Sequence, residues 1–264
     1  MTSPDHQQRL AALRDTIADI ERKPALAEAR QRVESEDGQF PKLAGGLLQE
    51  VFTDDRRNVG ASLGFALGQA RGLLTGKRMA IIYLQLADEA QKLGLPYGPG
   101  LLSFGLDPSA LILVRPSTMM ELLWAAEEAI ACKAVAAVVA DIAGHQKLLD
   151  FKASRRLSLR AAQTGSSMFL LRYGTRREAS AAHLRWHLMP HRSGRRQYDD
   201  KAPGAARWWA RLERGTVFKQ SADWHLGWTE DGFATFPAVQ QPSAKPPVSQ
   251  PVPAQLAYRL SQTA

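Results

Sequence analysis

The run Lys133-Ala134-Val135-Ala136-Ala137-Val138-Val139-Ala140-Asp141-Ile142 decides how the rest of the chain is read. Positions 134 to 140 carry no polar side chain and are rich in valine, so both faces of the element must be covered. That is the pattern of a central strand in a parallel sheet, where an exposed face would impose alternation. A carboxylate closing such a strand stands where nucleotide-binding folds hold a magnesium ion, which makes Asp141 the first candidate ligand.

Outward from this strand the chain alternates. Leu47 to Phe52 reads as a strand, Ala61 to Leu74 as a helix and Met79 to Leu84 as a second strand. A loop rich in Gly and Pro follows from Gly94 to Gly105. Then come a strand at Leu111 to Val114, a helix from Thr118 to Cys132, the opening strand, a helix from Lys152 to Thr164 and a strand at Met168 to Leu171. Such alternation predicts an α/β domain with a mostly parallel sheet, flanking helices and right-handed crossovers. After Tyr173 the Trp-bearing segments Leu184 to Met189, Trp208 to Leu212 and Trp224 to Trp228 predict antiparallel strands that finish one edge.

The domain spans residues 41–236. Ahead of it, residues 1–40 carry Leu10, Leu13, Ile17 and Ile20 at helical spacing until Pro24, the mark of an amphipathic helical arm. Behind it, the Pro- and Gln-rich residues 237–264 cannot build a core and read as a disordered tail.

The chain has 264 residues and a formal charge of +8 that is unevenly spread. Lys and Arg against Asp and Glu number 6 to 8 in residues 1–40 and 10 to 11 in 41–150, but 16 to 7 in 151–240. The surplus therefore sits in the C-terminal half and suits a polyanion or an acidic protein. The one cysteine, Cys132, cannot form an internal disulfide and is expected to be a small buried residue. Without an apolar run long enough to cross a bilayer, and with a start that lacks a signal-peptide pattern, the expected location is the cytoplasm, at the nucleoid when engaged.

A phosphate-binding loop should link the first strand to the first helix. That turn reads Thr53-Asp54-Asp55-Arg56-Arg57-Asn58-Val59-Gly60, with Val59 and Gly60 where a Lys and a hydroxyl residue are needed. Asp54 and Asp55 would repel a triphosphate unless Arg56 and Arg57 compensated. The stretch Gly72-Leu73-Leu74-Thr75-Gly76-Lys77-Arg78 superficially matches the motif but follows a helix, the wrong context. Gly60, Gly64, Gly68, Gly72 and Gly76 recur every four residues, and the middle ones are expected to let the helix approach the sheet closely. Neither a cofactor nor a catalytic residue set is expected, and Asp141 is left as a structural carboxylate that accepts hydrogen bonds from the turn at Ala143-Gly144.

Two basic groups are candidate contacts for DNA or a partner. Lys152, Arg156 and Arg160 share a helix face, with Arg155 beside them; the alternative is a solvated basic face. Arg172, Arg176 and Arg177 follow the fifth strand, at the sheet end where α/β folds bind ligands. The tryptophans could stack on bases but fit a hairpin interior better. His183, His187 and His191, four apart, would not meet around a metal if they lie on a strand.

Several stretches together resemble one family. Leu48-Gln49-Glu50-Val51-Phe52, Gly64-Phe65-Ala66-Leu67, Tyr97-Gly98-Pro99-Gly100-Leu101, Phe104-Gly105-Leu106-Asp107-Pro108 ahead of Leu111 to Arg115, and Ser154-Arg155-Arg156-Leu157 ahead of Phe169-Leu170-Leu171-Arg172 are similar to ImuA proteins. Trp186, the segment Trp208 to Arg214 and Trp228 fit that family's C-terminal portion, so the resemblance covers roughly residues 43 to 232. It implies a RecA-like fold and a role in SOS-type, damage-inducible mutagenesis. The implied partners are an ImuB-type protein and an error-prone DnaE-type polymerase in translesion synthesis, with RecA or DNA as further candidates. Against RecA proper, the phosphate loop is missing and Gln85 stands where a catalytic Glu would follow its strand. The implied role is therefore an accessory one without catalysis. The alternatives are an SOS cell-division inhibitor on a reduced RecA-like core, and a weak ATP-binding protein using Asp141.

Overall fold

The structure, a computed structural model, describes residues 40–196, 198–215 and 223–236. The arm and the tail expected from the sequence lie outside the described residues. Strand β1 (Leu48–Thr53) leads through a short 3-10 turn into helix α1 (Val59–Arg71), followed by β2 (Ala80–Gln85), α2 (Ala87–Leu93), α3 (Gly98–Ser103) and β3 (Leu111–Val114). Helix α4 (Met119–Ala131), β4 (Val135–Ile142), α5 (Phe151–Thr164) and β5 (Ser167–Tyr173) complete the alternating half. The rest is all β: β6 (Leu184–His191), β7 (Arg195–Arg196), β8 (Asp199–Pro203), β9 (Arg207–Gly215), β10 (Asp223–Thr229) and β11 (Gly232–Thr235).

Nine strands form one sheet in the order β11-β10-β9-β6-β1-β5-β4-β2-β3, and β7 pairs with β8 apart from it. From β3 to β6 every pairing is parallel. Beyond β6 the three outer strands run antiparallel. The opening stretch is β4, whose eight residues are all buried between β2 and β5. Val135, Val138, Val139 and Ile142 each contribute roughly 1.5–3 kcal/mol on burial, which favours placing this strand inside the sheet.

The two faces have different coats. One packs Leu48, Ile82, Leu84, Val138 and Ala140 under α4 and α5 through Leu122, Ala126, Ile130, Leu157 and Ala161. The other packs Val51, Tyr83, Val139 and Phe169 with α1 and with Trp186, Trp208, Trp224 and Trp228. Those four tryptophans are buried, so they belong to the core and are not a stacking platform.

The structure corrects the sequence reading at several points. Segment Leu184 to Met189 is expected to be an antiparallel edge strand; β6 does pair antiparallel with β9, but it lies inside the sheet and parallel to β1, with Gln49 opposite Leu184 and Phe52 opposite His187. The crossover is pinned at its end by His183, whose Nδ1 accepts from Leu48 N at 2.9 Å while its own N–H donates to Leu48 O at 2.8 Å. Helices α2 and α3 fall outside the expected elements, α3 because Gly98-Pro99-Gly100 reads as loop although Pro is well suited to a first turn. The middle glycines of α1 lie close against Phe104 and against rings carried by the outer strands of the sheet: a Cβ at Gly64 would stand 2.8 Å from Phe104 and 3.4 Å from Trp208 of β9, and one at Gly68 would stand 2.7 Å from both Trp228 of β10 and Phe233 of β11. They admit aromatic rings. Cys132 is exposed, because it caps α4 with extended backbone and turns outward.

Candidate functional site

At the carboxyl ends of β2, β4 and β5 a set of polar side chains converges on Asp141, and Gln85 Oε1 is buried there without a hydrogen-bond partner among the described residues. Asp141 is 2% exposed and accepts three hydrogen bonds, from Tyr83 Oη at 3.1 Å, Gln85 Nε2 at 3.0 Å and Tyr173 Oη at 2.8 Å. Its partners are thus three cross-strand side chains, and not the turn at Ala143-Gly144. Burial first, then the adjacent Asp141 charge and its hydrogen bond, pushes both tyrosine hydroxyls far above the usual phenol range. Both stay protonated donors to the carboxylate.

The loop at the phosphate position is closed in the same way. Asp55 caps the 3-10 turn by accepting from Arg57 N at 2.8 Å. Asn58 Nδ2 donates to Thr53 Oγ1 at 3.1 Å, and Asp54 Oδ1 lies 3.0 Å from His187 Nε2. Arg56 reaches across to Tyr173, 5.7 Å from its ring centroid, and pairs with Glu89 of α2. Val59 and Gly60 open α1, and Gly60 has nothing within 4 Å of the space a Cβ would take. A cavity of about 550 Å³ does exist, but it lies toward the other end of the strands, lined by Phe40, Gln69, Phe169 and Trp228.

The three arginines expected after the fifth strand go separate ways, and Arg172 lies within β5 itself. Arg172 is 4% exposed; its guanidinium donates to Glu178 at 2.7 Å and stands 4.0 Å from Glu50. Arg177 grips Glu213 through two nitrogens, at 2.8 and 3.0 Å, and covers the Phe52 ring at 4.1 Å. Only Arg176 of the three is exposed without an ion pair among the described residues. Sequence reasoning missed the centre of this network, Glu50. Buried on β1, it accepts from Arg185 Nε at 2.8 Å and from Ser180 Oγ at 2.7 Å. Its place inside an apolar strand was the available signal.

Helix α5 keeps its basic residues together and outward. Asp150 caps its start by accepting from Ala153 N at 2.7 Å, Gly165 ends it with a positive φ of 76°, and Leu157 and Ala161 face the core. Arg156 and Arg160 lean on α4, pairing with Glu127, and Arg160 also lies 3.9 Å from Glu128. Lys152 and Arg155 are exposed and make no ion pair among the described residues. His183, His187 and His191 do not converge. His187 meets Asp54 and His191 packs against His225, and among the described residues no three His, Cys, Asp or Glu side chains are placed to hold a metal ion. No helix among the described residues is long and apolar enough to cross a membrane.

No family model matches the sequence. The chain is similar to Protein ImuA from two strains of Caulobacter vibrioides, at 32% identity over 164 residues. The match covers 58% of this chain and 63% of each relative, just under two thirds of the relatives' length.

Proposed function

Because the similarity to Protein ImuA supports membership of the ImuA family, we propose that this chain is a non-catalytic accessory factor of damage-induced mutagenesis. It assists error-prone translesion synthesis by contacting an ImuB-type protein and a DnaE-type polymerase. The observation that carries the non-catalytic part is the state of Asp141. A magnesium ligand must present free lone pairs toward a phosphate, whereas this carboxylate is enclosed by Tyr83, Gln85 and Tyr173 beneath a loop capped by its own Asp55. The α/β sheet then serves as a scaffold, and the work falls to its surfaces.

Deletion of the gene, scored by damage-induced mutation frequency, tests the cellular role. The expected result is a clear fall, restored by the wild-type chain and equally by Asp141→Asn. An unchanged frequency after deletion would overturn the reading. Filamentation on overexpression with normal mutagenesis would instead favour a division inhibitor.

A further inference from the structure

The outer side of α4 carries two large apolar residues that the fold does not use. Its core stripe is Met119, Leu122, Leu123, Ala126 and Ile130, yet Met120 and Trp124 stand 68% and 67% exposed, one turn apart. Glu127 continues the same row, and its pairing with Arg156 and Arg160 shows that this row borders α5. On α5, Lys152, Arg155 and Arg156 are exposed, as are the apolar Phe151 and Leu159. The two helices, joined through Glu127, thus present exposed apolar side chains together with cations.

We propose that this α4–α5 face is the docking surface for an acidic amphipathic segment of a protein partner; the assignment rests on the accessory role above and supplies its surface. Trp124 is the anchor, since a tryptophan on a solvent-facing helix is the residue type that dominates interface energies once enclosed. Lys152 and Arg155 are exposed cations of α5 that make no ion pair among the described residues, and a partner carboxylate completes them. Nucleic acid fits less well. Arg156 and Arg160 are already neutralised by Glu127 and Glu128, whose carboxylates would oppose a phosphate chain along the same helix. An alternation of acidic and apolar side chains satisfies both parts of the surface.

The test uses the full-length chain and a purified ImuB-type protein as probe, with binding followed by calorimetry and by tryptophan emission. Trp124→Ala should raise the Kd by at least about tenfold, and Lys152→Glu with Arg155→Glu should raise it comparably while flattening its salt dependence. All these side chains are exposed, and an unchanged melting curve confirms folding; Lys42→Glu, exposed beside the cavity on the other face of the sheet, serves as the control and should bind as wild type. If the wild type binds and both variants bind equally well, the surface is wrong although the accessory role stands. If the wild type forms no complex, both fall. If the double reversal abolishes binding to single-stranded oligonucleotide and leaves the protein complex intact, the face belongs to nucleic acid and the proposal is overturned.

Discussion

Glu50 shows why a buried charge must be judged by what its removal strands. It holds Arg185 directly, and through Ser180 and Arg172 it ties β1 to the crossover that makes β6 parallel. Glu50→Ala leaves two guanidiniums below 10% exposure without that carboxylate, so a loss of about 3–5 kcal/mol is expected in denaturant unfolding. A change below 1 kcal/mol would show the network to be dispensable. Its neighbour Glu178 sets an acid limit. Burial, the largest single influence, pushes its pKa up, but the hydrogen bonds from Arg172 and His145 and their charges together hold it below the ordinary value of 4.5. A depressed carboxyl contributes stability that is complete above that value and is lost as pH falls through the folded one. Wild type should therefore lose stability below about pH 4.5, and Glu178→Gln should show a shallower acid slope; identical slopes would remove Glu178 from the account.

Helix α1 separates two uses of the same residue type. Gly60 lies in its first turn with open space beside it, so Gly60→Ala should stabilise by up to about 0.5 kcal/mol through reduced freedom of the unfolded chain. Gly68 admits the rings of Phe233 and Trp228, and a Cβ there must displace them; Gly68→Ala should cost about 1–3 kcal/mol. Thermal melts of both variants decide it, and equal shifts would refute the packing argument. The four-residue spacing of these glycines was legible in the sequence; which neighbours required it was not, because Phe104, Trp208, Trp228 and Phe233 come from distant segments. The same limit governs the other elements. The strand β4 was legible because an uninterrupted apolar run has few other homes, and α4 was legible from its apolar period and from Thr118 and Glu121, which form its capping box. The direction of β6 was hidden, since parallel and antiparallel partners ask the same of a short Trp-bearing strand. For the candidate surface, the basic residues of α5 could be read off, but not that Arg172 points inward or that Trp124 faces out. Both depend on partners such as Glu178 and on the side of α4 that the sheet claims.

At the scale of the molecule, six strands pair in parallel while Asp141, at the end of the central one, is held by side chains of its two neighbours. That combination makes a measurable statement about linkage. A ligand that binds only the folded chain raises stability by about 2.7 kcal/mol at a hundredfold excess over its Kd, which for a domain of this size moves the melting temperature by several degrees. If the three donors to Asp141 keep it from serving as a magnesium ligand, as the proposed non-catalytic role requires, the melting temperature of the full chain should be the same with and without millimolar ATP and magnesium. Asp141→Ala strands Tyr83 Oη, Gln85 Nε2 and Tyr173 Oη inside the fold, and a few kcal/mol of stability should go with it, by the same amount in both solutions. A rise in melting temperature with ATP that vanishes in Asp141→Ala would return this carboxylate to the role its place at the end of β4 first suggested.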